Sequence, residues 1–114
     1  MNNRRTGTEK ERLAAGFLVS AGYEILCMNF RAGPGEIDII AHKDGIICFI
    51  EVKYRSSLKY GSPAEAVDIR KQRTIIAVSS LYLQKYGLWD REVRYDVVEI
   101  LQDRIKLIEN AFTL

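Results

Sequence analysis

The stretch GEIDIIAHKDGIICFIEVK, residues 35–53, decides the fold. Lys43-Asp44-Gly45 is a tight-turn signal between two apolar runs, so the stretch reads as an antiparallel hairpin. Strand alternation puts Glu36, Asp38 and Ile40 on one face of the first strand, and Ile37, Ile39 and Ala41 on the other. On the second strand Ile47, Phe49, Glu51 and Lys53 share a face. Pairing across the turn carries the Asp38 end of one strand towards the Glu51 end of the other. Charged groups in apolar strands are rarely buried unless paired or ligating, because leaving water is costly. The plain alternative is a surface ion pair at strand ends, which contributes on the order of 0–1 kcal/mol.

Working outward, Thr8-x-x-Glu11 reads as a capping box that opens a helix reaching about residue 21, with Gly22 as its stop. Leu13, Ala14, Ala15, Phe17, Leu18, Val19 and Ala21 sweep one apolar arc, and Glu11 falls in line with Ala14 and Leu18. Glu11 is thus either the capping glutamate or a carboxylate aimed inward. Residues 23–30 form a strand rich in Tyr, Ile, Leu, Cys and Phe, and residues 32–35 a turn. Beyond the hairpin, residues 55–62 are loop-like. Ser62-Pro63 marks one helix start, and Asp68 another, reaching about Tyr86 and ended by Gly87. Ile69, Ile76 and Leu83 stand at seven-residue spacing, widened by Ile75, Val78 and Tyr82. Residues 94–101 and 104–111 complete the chain as two strands. The order is α-β-β-β-α-β-β, an α/β class with helices packed on a mixed central sheet.

Composition sets the bounds. A chain of 114 residues is expected to form a single domain (1–114), with residues 1–6 as a flexible N-terminal arm. It is 47% hydrophobic and 28% charged, which argues against disorder. No apolar run suits a membrane span and no secretory signal is visible, so a cytoplasmic location without membrane contact is expected. Cys27 and Cys48, with His42 the lone histidine, do not make a zinc site and read as free thiols. The net charge of +2 is too small to identify a polyanion partner, but charge is clustered. Between residues 53 and 73 stand Lys53, Arg55, Lys59, Arg70, Lys71 and Arg73 against Glu65 and Asp68. Tyr54 and Tyr60 are interleaved, as in a phosphate-binding rim; a solvated helix face with a basic loop is the competing reading.

Asp38 and Glu51 are hard oxygen donors suited to a magnesium-type cation. Lys53 can position or help deprotonate a water, or pair with a phosphate oxygen. Glu11 can support the same centre from the helix. This pattern suits phosphodiester hydrolysis.

Six motifs in order strengthen the reading: G-x-x-x-E-x-x-A (Gly7, Glu11, Ala14), N-F-R (29–31), G-E-I-D-x-I (35–40), F-I-E-V-K-x-R (49–55), A-V-D-x-x-K (66–71) and R-Y-D-V-V (94–98). Together they resemble the YraN-like family of small bacterial proteins. That family is similar to the restriction-endonuclease-like, or PD-(D/E)xK, nucleases and to archaeal Holliday-junction resolvases. The resemblance implies a restriction-endonuclease-like fold. By motif it also implies Glu11 as the helix glutamate, Asp38 and Glu51 as metal ligands and Lys53 as the catalytic lysine. Mg²⁺ or Mn²⁺ is the implied cofactor and DNA, branched or otherwise structured, the implied substrate; a homodimer follows by analogy. Lys10 stands where the family usually has glycine. Glu36 is either a further ligand or a partner of Arg31. Arg31, Arg55, Lys59, Lys71 and Arg73 are the candidate nucleic-acid contacts. A non-catalytic nucleic-acid-binding module on the same fold, or an interaction protein with a structural acidic site, are the competing functions.

Overall fold

A computed structural model describes residues 3–55, 68–102 and 104–113, with backbone alone at 3–8 and 55. Asp44 and Gly45 both take left-handed backbone angles, φ 53° and 81°, as the central residues of a primed hairpin turn must. The turn folds β2 (Gly35–Lys43) onto β3 (Ile46–Arg55) in antiparallel register, from Lys43↔Ile46 to Ile39↔Ile50. β1 (Glu24–Ala32) pairs antiparallel with β2, and β4 (Glu92–Leu101) with β5 (Arg104–Phe112). β3 and β4 lie parallel, giving one mixed sheet in the order β1-β2-β3-β4-β5. Parallel neighbours cannot be joined by a tight turn. The crossover carries α2 (Ile69–Tyr86), which Asp68 caps at its start and Gly87, left-handed at φ 65°, at its end.

The two helices cover opposite faces. α1 (Asn3–Ser20) buries Ala14 and Leu18 against Ile39, Ala41, Cys48, Ile50, Val98 and Ile100. α2 buries Ile75, Val78, Tyr82 and Leu83 against Phe30, Ile37, Ile40, Ile47, Phe49, Tyr95 and Val97. Strand alternation explains this sorting, since neighbouring residues of β3 feed opposite cores.

Four local expectations are corrected. α1 already runs through Thr8, so Thr8-x-x-Glu11 is not a helix start, because an N-cap residue must lie outside helical geometry. The apolar arc of α1 is narrower than its composition, with Leu13 and Val19 about half exposed. Ile69 is 59% exposed, so the heptad spacing does not carry the core stripe into the first turn of α2. Ile37 packs on the α2 side while Ile39 and Ala41 pack on the α1 side, so regular alternation breaks at Asp38. The helix start at Ser62-Pro63 lies outside the described residues. Cys27 and Cys48 are free thiols, and burial pushes Cys48 up to about 12, which keeps it neutral.

The Arg94-Tyr95-Asp96 motif has a structural account. Asp96 is fully buried and accepts from Arg94 Nε at 2.9 Å and from the Asn110 N–H at 2.8 Å. Arg94 also donates to the Tyr23 hydroxyl at 2.8 Å, tying the start of β1 to β4.

Gly35 fits α2 closely. A Cβ there would sit 2.6 Å from Thr74 Cγ2, and Thr74 Oγ1 donates to the Arg70 carbonyl at 3.1 Å, which opposes rotating the methyl away. Gly35→Ala is therefore expected to cost about 1–3 kcal/mol in a denaturant melt. Adding Thr74→Ser, which removes the methyl, is expected to recover most of that loss; additive losses would contradict the contact.

Candidate metal centre

Asp38 and Glu51 are the first residues beyond the last paired rung of β2 and β3, Ile39↔Ile50. There the Asp38 carboxylate takes over from the ladder, with its Oδ2 accepting the Val52 N–H at 2.9 Å. A side-chain acceptor in place of a main-chain carbonyl satisfies the strand while turning the carboxyl into the gap between strands. Glu51 is buried, only 5% exposed, and continues the α2-side face of Ile47 and Phe49.

The electrostatics follow from burial. Burial first, and the Glu51 charge second, raise Asp38 to about 7, against the lowering effect of the Val52 N–H. Burial also raises Glu51, partly offset by the positive charges of Lys71 and Lys53. Two carboxyls this close share a proton more readily than both ionise. Glu51 Oε2 is buried and receives no N–H or hydroxyl among the described residues. Its neighbour is the Asp38 carboxyl.

Glu11 reaches the same place from α1. One oxygen each of Glu11, Glu36 and Asp38 lie within 4.8 Å of one another. Burial raises the Glu11 carboxyl, a hydrogen bond from Asn29 lowers it, and the Asp38 charge raises it again. Glu51 stands outside that trio and neighbours Asp38. Glu36 satisfies both readings of the sequence, since it pairs with Arg31 Nε and also stands with Glu11 and Asp38.

The remaining site residues divide. Lys53 is half-buried two residues beyond Glu51 on the same face and acts on it through its charge. Lys71, in the first turn of α2, brings Nζ to 3.5 Å from Glu51 Oε1. The Asp68 cap accepts the Lys71 N–H at 2.8 Å and so fixes that turn. Arg31 and Arg73 are exposed. The Arg55 side chain and Lys59 lie outside the described residues.

Two neighbours make contacts that the sequence reading did not foresee. Asn29 Nδ2 donates to Glu11 Oε1 at 2.7 Å, from a left-handed backbone at φ 54° in the middle of β1. Asparagine tolerates that conformation, and its poor fit to a strand was the available signal. Lys10 places its ammonium 4.2 Å from the Tyr54 ring centroid, so its charge beside Glu11 is directed onto an aromatic face.

The comparisons with known proteins agree with this architecture. A UPF0102 protein of Clostridioides difficile (strain 630) is 45% identical over 98% of this chain and 100% of its own. One from Acetivibrio thermocellus is 47% identical over 97% of this chain and 93% of its own. The 1.6 Å structure of Archaeoglobus fulgidus Hjc, a Holliday junction resolvase from an archaeal hyperthermophile, superposes with a TM-score of 0.55 at 20% identity. It covers 90% of this chain and 75% of that one. That likeness is one of fold, and the α-β-β-β-α-β-β order with a mixed five-stranded sheet is the restriction-endonuclease-like architecture expected from the motifs. With residues 10–100 matching the family described as uncharacterised protein family UPF0102, and relatives this similar over nearly their whole length, the chain belongs to that family.

Proposed function

We propose that this chain is a divalent-metal-dependent endonuclease that hydrolyses phosphodiester bonds in DNA, with branched or structured DNA as its favoured class. The observation that carries this reading is the meeting of Asp38 and Glu51 beyond the last β2–β3 rung, with Glu51 Oε2 buried and given no donor among the described residues. A buried carboxylate oxygen without a donor is costly, and a cation answers it.

The donor set fits a hard cation. Asp38 and Glu51 would hold it, with Glu11 contributing from α1, and all three offer oxygen, the ligand type that Mg²⁺ or Mn²⁺ takes. When bound, such a cation supplies positive charge to the phosphate and lowers the pKa of a nearby water. Lys53 aligns the water or a phosphate oxygen by hydrogen bonding and adds positive charge as the phosphoryl group becomes more anionic. Lys71, Arg31 and Arg73 give the surrounding surface its positive charge, which favours the phosphate backbone; Arg55 and Lys59 belong to the same reading on sequence alone. DNA is the favoured polymer because the solved fold neighbour is a Holliday junction resolvase. Two-site cutting of a symmetrical junction would call for a homodimer.

One observation favours a second reading, a nucleic-acid-binding module that does not cut. Lys71 already partners Glu51, and Arg31 already partners Glu36, so part of the acidic charge is neutralised within the chain. Incubating the purified protein with single-stranded, linear duplex and four-way-junction DNA separates the two. The nuclease reading expects strand cleavage in Mg²⁺ or Mn²⁺ and none in EDTA. Salt-sensitive binding without cleavage in either metal would favour the module.

Asn29 supplies a finer prediction. Asn29→Gly keeps the left-handed backbone accessible but removes the donor to Glu11. Losing that bond leaves burial and Asp38 to raise Glu11 further. Cleavage at neutral pH is expected to fall about 10-fold, with the pH–rate profile displaced to higher pH. An unchanged profile would show that Glu11 does not work through its ionised form.

A further inference from the structure

Tyr54, at the end of β3, is 50% exposed, and the Lys10 ammonium lies 4.2 Å from its ring centroid. Both residues are chain neighbours of the acidic centre, since Tyr54 follows Lys53 and Lys10 precedes Glu11. Alternation puts Tyr54 on the α1 side with Val52, opposite the face that carries Glu51 and Lys53. A ring with a cation over one face therefore stands on the α1 side of the sheet end that carries the centre, the side from which Glu11 reaches Asp38.

The other large exposed aromatics among the described residues are elsewhere. Tyr86 and Trp89 are 52% and 60% exposed but lie at the far end of α2 from Lys71, whose Nζ touches Glu51. An 18-residue helix is about 27 Å long. Among the described residues, Tyr54 is the exposed ring that adjoins the centre in the chain.

We propose that Tyr54 forms a shelf on which an unpaired base of the substrate stacks, with the Lys10 ammonium backing the opposite face of the ring. The substrate class rests on the nuclease reading above. A base inside a duplex presents only its edges, because its faces are covered by its neighbours. A free face occurs where stacking is interrupted, at a strand end, a bulge or a branch point. Stacking on an aromatic ring accepts any base, and a cation at the ring reinforces it. The shelf thus selects nucleic acid by interrupted stacking rather than by sequence.

A merely structural pair would fasten α1 to β3 and would not touch a base. A duplex carrying one unpaired 2-aminopurine reports the difference, because stacking quenches its fluorescence; the fully paired duplex is the reference, both in EDTA to prevent cleavage. Wild type is expected to quench the bulged base and to bind the bulged duplex about 10-fold more tightly than the paired one. Tyr54→Phe should keep both properties, and Trp89→Ala should not alter them. Tyr54→Leu, which keeps apolar bulk for folding, should lose the quenching and most of the preference. Equal quenching by Tyr54→Leu, or equal binding of both duplexes by wild type, would overturn the shelf. Magnesium-dependent cleavage is scored separately: cleavage without quenching removes the shelf alone, and quenching without cleavage removes the nuclease reading alone.

Discussion

Glu51→Gln is expected to lower metal-dependent cleavage roughly 10²–10³-fold while leaving the fold and salt-sensitive DNA binding in place. The amide matches the carboxylate in size, so packing around this buried side chain changes little. Its charge is lost, and with it the anionic ligand that would pair with Asp38. Lys71 loses its partner but is 40% exposed and can return to water, so the cost to folding is small. Lys53→Ala tests the other half of the triplet and is expected to cost about 10²–10⁴-fold in single-turnover rate. Binding of the DNA should weaken much less, because one cation among several contributes modestly. Cleavage within a few-fold of wild type in the Glu51→Gln variant would remove Glu51 from the centre.

Asp38 carries the second large effect, through pH. Its folded pKa is raised from 3.8 to about 7, and that of Glu51 is raised as well. A raised carboxyl means that the folded state binds its proton more tightly than the unfolded chain. The stability it contributes is complete below the unfolded pKa and is lost as pH rises through the folded one. Without divalent metal, the protein is therefore expected to weaken between about pH 4 and pH 7 by about 1–3 kcal/mol, after discounting the part of Asp38 still open to solvent. Metal needs the ionised carboxylates, so its stabilising effect should run in the opposite sense and grow with pH. Mg²⁺ or Mn²⁺ should raise the melting temperature more at pH 8 than at pH 5.5.

Asp38→Asn separates these contributions. Asparagine keeps an oxygen for the Val52 N–H but cannot ionise. In EDTA at pH 8 the variant is expected to melt about 4–10 °C above wild type, and the metal-dependent rise should vanish. A variant less stable than wild type at pH 8 in EDTA would show that the carboxyl is held without strain.

Much of this was legible in the sequence for definite physical reasons. The Asp44-Gly45 turn fixes the hairpin, and strand alternation along β3 places Glu51 and Lys53 with Ile47 and Phe49. Asp68 and Gly87 bound α2 through side-chain capping and a left-handed stop, both encoded locally. What failed depended on neighbours distant in the chain. The capping-box pattern at Thr8 is indifferent to Asn29, which claims the Glu11 carboxylate from β1. Alternation assumes a regular strand, and it breaks at Asp38, where the side chain replaces a ladder acceptor. Ile69 continues a heptad by spacing, yet it is exposed. The approach of Lys71 to Glu51 depends on how the crossover returns over the sheet. No local pattern specifies that.

The broader lesson concerns stability and function at one place. Asp96 and Glu51 are both buried acids, but their surroundings differ. Asp96 has Arg94 and the Asn110 N–H answering it, as a structural acid should. Glu51 has one oxygen near Lys71 and the other given no donor among the described residues, beside a second carboxyl. Unrelieved acidic burial of that kind is what a cation-binding centre requires before the cation arrives.

Single-turnover hydrolysis of an end-labelled four-way junction in Mg²⁺, by wild type beside Asp38→Ala and Lys53→Ala, tests the central claim most directly. The expected result is cleavage by wild type that EDTA abolishes and that both substitutions reduce at least about 10²-fold. Cleavage unchanged in both variants, or a wild type that binds the junction and never cuts it, would contradict the account.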